Sequence, residues 1–231
     1  MASRTLLGLT AAVALSAASA ASAALTIDFA SQLGNLGPTA TYSSGGLTVI
    51  ATGYSDGFDH SAQTALYGKD SGGDEQGLGL VADPSGENEI YWGSSHNGAF
   101  VEVDVSGLFG LVTNAQFFMG STTGGAPTGE QWAVWGSNVA GCGWFCADAG
   151  PLTGFDEGTH DLVGFGAYKY YDFYSLGTFG NGAPGNVLLG GLVLTPVPEP
   201  GTWAMMLLGL GAVGGALRLN RRKLRFPPKE A

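Results

Sequence analysis

Short segments in which apolar and polar residues alternate constrain the fold of this chain most strongly. In the segment FVEVDV, apolar residues alternate with Glu102 and Asp104, and this period of two is typical of a strand. Glycine supplies 40 of the 231 residues and separates such segments. Between the two ends of the chain, no stretch has the 3.6-residue apolar stripe of a helix. The pattern predicts strands at 25–30, 47–54, 100–107, 131–137, 168–176 and 186–194.

Strands that are separated by glycine-rich turns, with no helices between them, indicate an all-β domain. We expect residues 24–196 to form one β-sandwich of the jelly-roll type, because roughly 170 residues suit a single domain of this class. Trp132 and Trp135 lie three residues apart in a predicted strand, so their side chains should point to opposite faces of the sheet.

Residues 1–23 have the three parts of a secretory signal peptide. Arg4 supplies the positive region, residues 6–15 form an apolar core that is too short to span a bilayer, and Ala21-Ser22-Ala23 is a small-residue cleavage site. The alternative is a buried N-terminal helix, but the segment lacks a polar face and a helix stop. We therefore expect export through the inner membrane and cleavage before Ala24.

A second apolar segment lies near the C-terminus, where residues 203–217 carry no charge. As a helix this segment would cover about 22 Å at 1.5 Å per residue, which is short for a hydrocarbon core of about 30 Å. Trp203 can lie at one interface, and Arg218 can extend to the other. These flanking residues favour a single transmembrane helix.

The residues after this segment are basic, with Arg221, Arg222 and Lys223 in a row. The positive-inside rule places such a cluster in the cytoplasm, together with residues 226–231, and so places the preceding domain outside. The alternative is a buried C-terminal helix of the globular domain. Four glycines in residues 203–217 argue against it, because each weakens a soluble helix by roughly 1 kcal/mol.

The C-terminal region resembles a known sorting signal. Three parts carry the resemblance: Pro198-Glu199-Pro200, then a glycine-interrupted apolar stretch, then the basic cluster. Over residues 197–225 they are similar to the PEP-CTERM sorting signal of Gram-negative bacteria. The resemblance implies that the tail holds an exported protein at the inner membrane until an exosortase, a membrane-embedded cysteine transpeptidase, recognises the Pro-Glu-Pro motif and cuts nearby. It further implies a place at the cell surface or in the extracellular matrix, in association with exopolysaccharide.

The second half of the domain has a looser resemblance. The segments QWAVWGSN, YKYYDFYSL and GNVLLGGLVL look like the closing strands of galactose-binding-like jelly rolls. Tyr168-Lys169-Tyr170 stands where arginines commonly flank such a strand, so the match departs from the family pattern there. The resemblance implies a sandwich that binds carbohydrate at its loop ends.

The charge between residues 24 and 197 is strongly negative. Lys69 and Lys169 are the two basic side chains there, against seventeen acidic ones, which gives a formal charge of −15. Such a surface repels phosphate backbones and excludes nucleic acid as a partner. Divalent cations and neutral sugars suit it better.

Cys142 and Cys146, in the segment GCGWFCAD, are the two cysteines of the chain. An exported protein meets an oxidising compartment, so we expect a small structural disulfide between them. The alternative, a redox motif, would need a different spacing. Trp144 lies inside this loop and is our candidate for an exposed aromatic residue that contacts a ligand, although core packing is the usual role of tryptophan.

The acidic segment KDSGGDEQG offers Asp70, Asp74 and Glu75 as ligands for a structural calcium ion, because calcium prefers several oxygen ligands on a flexible backbone. A solvated surface loop is the alternative. His60, His96 and His160 are far apart, and neither a zinc motif nor a nucleophile elbow occurs. We therefore expect a non-enzymatic protein with no cofactor beyond this calcium. The alternatives are a secreted polysaccharide hydrolase and a surface protein whose tail is never removed.

Overall fold

The computed structural model describes residues 23–55, 62–81, 83–93, 98–122, 129–178, 183–198 and 200–223. The chain divides into a β unit, residues 23–197, and a second unit that contains a C-terminal helix. Residues 1–22 of the predicted signal peptide and the predicted cytoplasmic end of the tail, 226–231, lie outside the described residues, as does Glu199. In the described part of the β unit the strands are β1 Leu25–Asp28, β2 Gly34–Gly37, β3 Thr39–Ser44, β4 Leu47–Tyr54, β5 Gln63–Thr64, β6 Leu66–Asp70, β7 Gln76–Leu80, β8 Ile90–Trp92, β9 Phe100–Asp104, β10 Val112–Gly120, β11 Glu130–Ser137, β12 Leu152–Gly154, β13 Gly158–Asp161, β14 Tyr170–Thr178 and β15 Gly185–Pro196.

These strands form two antiparallel sheets. The first sheet has the order β13-β10-β15-β7-β6-β2, and β1 and β8 also pair with β15. The second sheet has the order β12-β11-β14-β9-β4-β3, and β5 pairs with β4. The predicted all-β, sandwich-like class is confirmed.

The main core lies between the inner faces of the two sheets. Phe117 of β10 packs against Trp132 of β11 and Phe173 of β14, with ring centroids 5.3 Å apart in both pairs. All three side chains are buried, and burial of such large apolar groups is the main favourable term in folding. Aromatic and branched residues on alternate positions of each strand therefore hold the sheets together.

The second sheet also buries part of its outer face. Trp132 belongs to the main core, whereas Trp135 belongs to a separate buried cluster on the other side of the sheet. The two tryptophans point to opposite faces, as their spacing predicts. A strand with two buried faces reads as a nearly continuous apolar run, and this explains the segment QWAVW in β11.

In the second unit the structure describes a helix, α1 Pro200–Lys223. It includes the predicted apolar helix 203–217 and is longer at both ends. Among the described residues, however, no helix is long and apolar enough to cross a membrane. The structure therefore does not confirm the predicted transmembrane helix.

Candidate functional site

Cross-strand rows of side chains build the outer-face cluster of the second sheet. Phe100 of β9 lies opposite Tyr54 of β4 and Tyr174 of β14. Its ring stacks on both neighbours, with centroids 4.6 Å and 4.8 Å apart. Trp135 of β11 packs edge-on against Tyr174, with centroids 4.9 Å apart. The row forms a continuous aromatic layer on the outside of the sheet.

The next row of the same face places two acids side by side. Glu102 of β9 lies opposite Asp172 of β14, and residues directly opposite in antiparallel strands have Cβ atoms about 4.5–5.5 Å apart. Glu102 is 3% exposed and Asp172 is 0% exposed. Two buried carboxylates at this distance repel each other if both are ionised. We call Glu102 and Asp172 the outer carboxylate pair.

The surroundings of this pair favour protonation. No hydrogen bond of ordinary geometry reaches either carboxylate oxygen of Asp172 from the described residues. Burial, followed by the charge of Glu102, raises the pKa of Asp172. Burial also raises the pKa of Glu102 to about 7, against the opposing hydrogen bond from the Gly141 N–H. The pair therefore holds at least one proton near neutral pH, because a single shared proton relieves the repulsion.

A loop of residues 138–148, which we call the disulfide loop, contacts this cluster. Asp148 closes the loop by accepting a hydrogen bond from the Asn138 N–H at 3.0 Å. The predicted disulfide between Cys142 and Cys146 is present, with Cα atoms 5.5 Å apart. Gly141, which donates to Glu102, has φ of +64°, a conformation that glycine adopts without strain.

The disulfide loop carries aromatic side chains to the surface. Trp144 is 37% exposed and Phe145 is 67% exposed. The Trp144 N–H donates to the Tyr174 hydroxyl at 3.1 Å, and its ring packs edge-on near Trp135 at 6.5 Å between centroids. The outer-face cluster thus supports a half-exposed Trp144, the residue that the sequence proposes as a ligand contact.

The predicted calcium residues lie at the turn between β6 and β7. The Asp70 carboxylate accepts the Gly72 N–H at 3.3 Å, and the Asp74 carbonyl accepts the Ser121 N–H at 3.0 Å. The Glu75 carboxylate is paired with Lys69, 2.6 Å from its Nζ. In the part of the chain that is described, no three His, Cys, Asp or Glu side chains form a group that could hold a metal ion. The calcium site stays a prediction.

A buried polar group that the sequence pattern did not reveal surrounds Glu75. Lys69 on β6 also contacts Glu89, which is 0% exposed. The Ser121 hydroxyl lies 2.9 Å from Glu75 Oε1 and 2.9 Å from Glu89 Oε2. We call Lys69, Glu75, Glu89 and Ser121 the lysine network. Its members come from three separate segments of the chain, one of which is the hairpin of β6 and β7, so local patterns cannot bring all of them together.

The pKa values of the two glutamates in the lysine network are shifted in opposite directions. Burial raises the pKa of Glu89 to about 7, although Lys69 and Ser121 oppose the rise. Burial also acts to raise the pKa of Glu75, but hydrogen bonds from Lys69 and Ser121 outweigh it and leave this pKa below its ordinary value. Burial acts to lower the pKa of Lys69, and its hydrogen bonds to the two glutamates raise it overall. One glutamate therefore favours the acid form and the other the carboxylate.

The predicted sorting residues are only partly described. Pro198 follows the end of β15, and Pro200 is the first residue of α1. Arg218 on α1 is exposed. The side chains of the other predicted membrane-flanking residues lie outside the described residues: Trp203, Arg221, Arg222 and Lys223.

Comparison with known families identifies this tail. Residues 196–223 match the family model described as the PEP-CTERM protein-sorting motif. The chain carries a PEP-CTERM sorting motif. No curated protein and no solved structure matches the chain. The motif implies an exosortase-targeted, exported protein with a membrane-anchored precursor before processing.

Proposed function

We propose that this chain is a non-enzymatic surface or matrix protein, sorted by an exosortase, whose β-sandwich associates with exopolysaccharide. The match of residues 196–223 to the sorting motif carries the proposal. The motif begins where β15 ends, at Pro196, so cleavage near Pro198 would leave the sandwich whole. Each proline of the motif biases the residue before it toward extended backbone, a form that suits recognition by a protease.

The outer face of the second sheet supports binding rather than hydrolysis at this site. A glycosidase needs two acids that reach opposite sides of a sugar, but Glu102 and Asp172 lie side by side and are almost fully buried. Trp144 and Phe145 offer an exposed aromatic surface, and sugar rings commonly pack on such surfaces. A galactose-binding-like jelly roll with its ligand at the disulfide loop accounts for these features.

Localisation in a producing strain that encodes an exosortase tests the sorting function. We expect the native protein outside the inner membrane with a C-terminus near Pro198, as mass spectrometry of its last peptide would show. The triple replacement of Pro198, Glu199 and Pro200 by alanine should leave full-length protein in the membrane fraction. Replacement of Pro227 and Pro228, the other proline pair of the tail, is the matched control and should be processed normally. Full-length native protein in membranes alone would refute the sorting function.

Pull-down with the strain's own exopolysaccharide tests the binding function. The variant Trp144→Ala, Phe145→Ala should lose most of the retained protein. Phe109 is also 37% exposed but packs near Phe165 at another surface, so Phe109→Ala is the control and should bind as the native protein does. Equal retention of both variants would exclude the disulfide loop, and release of reducing sugar would favour the hydrolase alternative.

A further inference from the structure

The lysine network places an amine between two carboxyl groups whose surroundings differ. Lys69 Nζ lies 2.6 Å from Glu75 Oε2 and also contacts Glu89 Oε1. We propose that Lys69 and Glu89 condense to an intramolecular amide bond, with Glu75 as the catalytic residue that transfers protons, so that the mature protein carries a covalent crosslink between β6 and the residue preceding β8. The crosslink joins positions twenty residues apart.

Two glycines let the reacting segments approach each other. A Cβ at Gly79 of β7 would lie 2.1 Å from the Asn88 carbonyl oxygen and 2.6 Å from the Glu89 Cα, so glycine allows the Glu89 segment to lie directly on β7. A Cβ at Gly120 would lie 2.4 Å from the Asp74 carbonyl oxygen, so glycine allows the turn that carries Glu75 to lie against the end of β10. The backbone thus fixes both carboxyl groups around Lys69.

Hydrogen bonds orient the Glu89 carboxyl group, which is the electrophile of the proposed reaction. The Glu89 N–H donates to Asp83 Oδ2 at 3.1 Å, and Glu89 Oε2 lies 2.9 Å from the Ser121 hydroxyl. The other oxygen, Oε1, contacts Lys69 Nζ, and the carboxyl carbon is one bond away from it. Holding the two groups together in this way removes the entropy cost of bringing separate reactants into contact. Because Glu89 is fully buried, bulk water does not compete for its carboxyl carbon.

The two glutamates have environments that suit opposite roles. Burial favours the acid form of Glu89, and a carboxylic acid can lose its hydroxyl group, whereas a carboxylate resists attack. Lys69 and Ser121 favour the carboxylate form of Glu75, so an unprotonated carboxylate lies in hydrogen-bond contact with Lys69 Nζ and can accept its proton. Two titratable groups whose environments push their pKa values apart are the usual signature of an acid and base pair. Ser121, which contacts both carboxyl groups, is a positioning residue.

The reaction balances without an external reagent. The Lys69 ammonium transfers a proton to Glu75 through their 2.6 Å hydrogen bond, and the free amine attacks the Glu89 carboxyl carbon. Glu75 then donates this proton to the departing hydroxyl group and accepts a second proton from the nitrogen. One C–N bond forms, one C–O bond breaks, and one water molecule leaves. Glu75, whose side chain is 41% exposed, returns its proton to solvent.

Peptide mapping of the protein purified from producing cells tests the proposal. Chymotrypsin cleaves after the bulky residues at 67, 78, 80 and 91 and so places Lys69 in the peptide 68–78 and Glu89 in the peptide 81–91. We expect one linked species whose mass equals both peptides less one water molecule, with fragmentation that locates the link at Lys69 and Glu89. Separate peptides of unmodified mass would overturn the proposal, as would a link from Lys69 to Glu75.

Three variants test the assigned roles. Lys69→Arg keeps the positive charge but cannot form the amide, so its peptides should be separate. Glu75→Gln keeps both reacting groups and should reduce the linked fraction at least tenfold, and full linkage would overturn the role of Glu75. Glu87→Gln is the matched control, because Glu87 lies in the same peptide but hydrogen-bonds Asn186 at 3.0 Å, and it should remain linked.

Discussion

The lysine network and the outer carboxylate pair are both buried acidic groups, but the protein neutralises them differently. In the lysine network, Lys69 and Ser121 contact the two oxygens of the buried Glu89. In the outer carboxylate pair, no basic side chain contacts Asp172 among the described residues, and its polar neighbours are the Glu102 carboxyl group and the Gly143 N–H. An isolated buried charge is very unfavourable, so a group without a partner protonates instead. Before the proposed amide forms, an amine neutralises the first group, whereas a proton neutralises the second.

The largest expected effect is the loss of that amine. Lys69→Met removes both the proposed crosslink and the cationic partner of the buried Glu89, and it should lower the free energy of unfolding by about 4 kcal/mol, as measured by urea denaturation at pH 7. Lys169 is exposed, and Lys169→Met, the matched control, should change stability by less than about 0.5 kcal/mol.

A double variant sharpens this test. Adding Glu89→Gln to Lys69→Met removes the unpaired charge and should recover part of the lost stability. A double variant that is less stable than Lys69→Met alone would show that charge pairing is not what stabilises this network.

The next effect is a dependence of stability on pH, which the outer carboxylate pair should dominate. The folded-state pKa of Glu102 is about 7, above its ordinary value, so the folded protein binds more protons than the unfolded chain between about pH 4.5 and pH 7. Stability should therefore be greatest at the acidic end of this window and fall as the pH rises through it. For Glu102 alone, the fall should be on the order of 3 kcal/mol.

Chemical denaturation at several pH values between 5 and 8 would measure this slope. Glu102→Gln should flatten it, whereas Glu87→Gln, at an exposed site, should not. Glu89 also has a raised pKa, but it cannot titrate once it is bound to Lys69 as an amide. A slope that Glu102→Gln leaves unchanged would contradict the assignment to the outer carboxylate pair.

Removal of the disulfide should have a smaller effect on stability and should disturb the outer carboxylate pair but not the lysine network. The variant Cys142→Ser, Cys146→Ser opens a five-residue loop and should lower the free energy of unfolding by about 2 kcal/mol. Because Gly141 of this loop donates to Glu102, the pH dependence should also change. The Lys69–Glu89 linkage should be unaffected, as the peptide map would show, and loss of the link would mean that the two clusters are coupled.

The sequence predicted the strands better than it predicted the buried acids. Strand β4 occupies its predicted bounds, Leu47–Tyr54, because its alternation is regular. The central strand β10, Val112–Gly120, was missed, since Thr113, Asn114 and Gln116 interrupt its apolar pattern. Its place in the middle of a sheet depends on β13 and β15, which are distant in sequence.

The buried acids could not be identified from local patterns. In FVEVD, Glu102 alternates with valine and suggests a solvent-facing side chain, but the disulfide loop, about forty residues later, contacts it. The signal that was available is Asp172 within YYDFY, a lone acid in an aromatic strand. The burial of Glu89 follows from its contact with Gly79 of β7, a tertiary feature that residue types alone do not show.

The smallest effect should be a gain in stability, and it distinguishes the two clusters most directly. Asp172→Asn replaces a buried acid that has no cationic partner by a neutral group of the same shape, whose amide N–H can donate to Glu102. A neutral group removes the cost of keeping this pair protonated in the folded state, which grows with pH, so the free energy of unfolding should rise by about 1 kcal/mol or more at pH 8 and by less at pH 5. Asp161→Asn, at an exposed position that accepts a hydrogen bond from Gln116 at 2.8 Å, is the control and should be neutral at both pH values. A loss of stability at pH 8 would mean that Asp172 is ionised and has a favourable partner, so that both clusters would be neutralised in the same way.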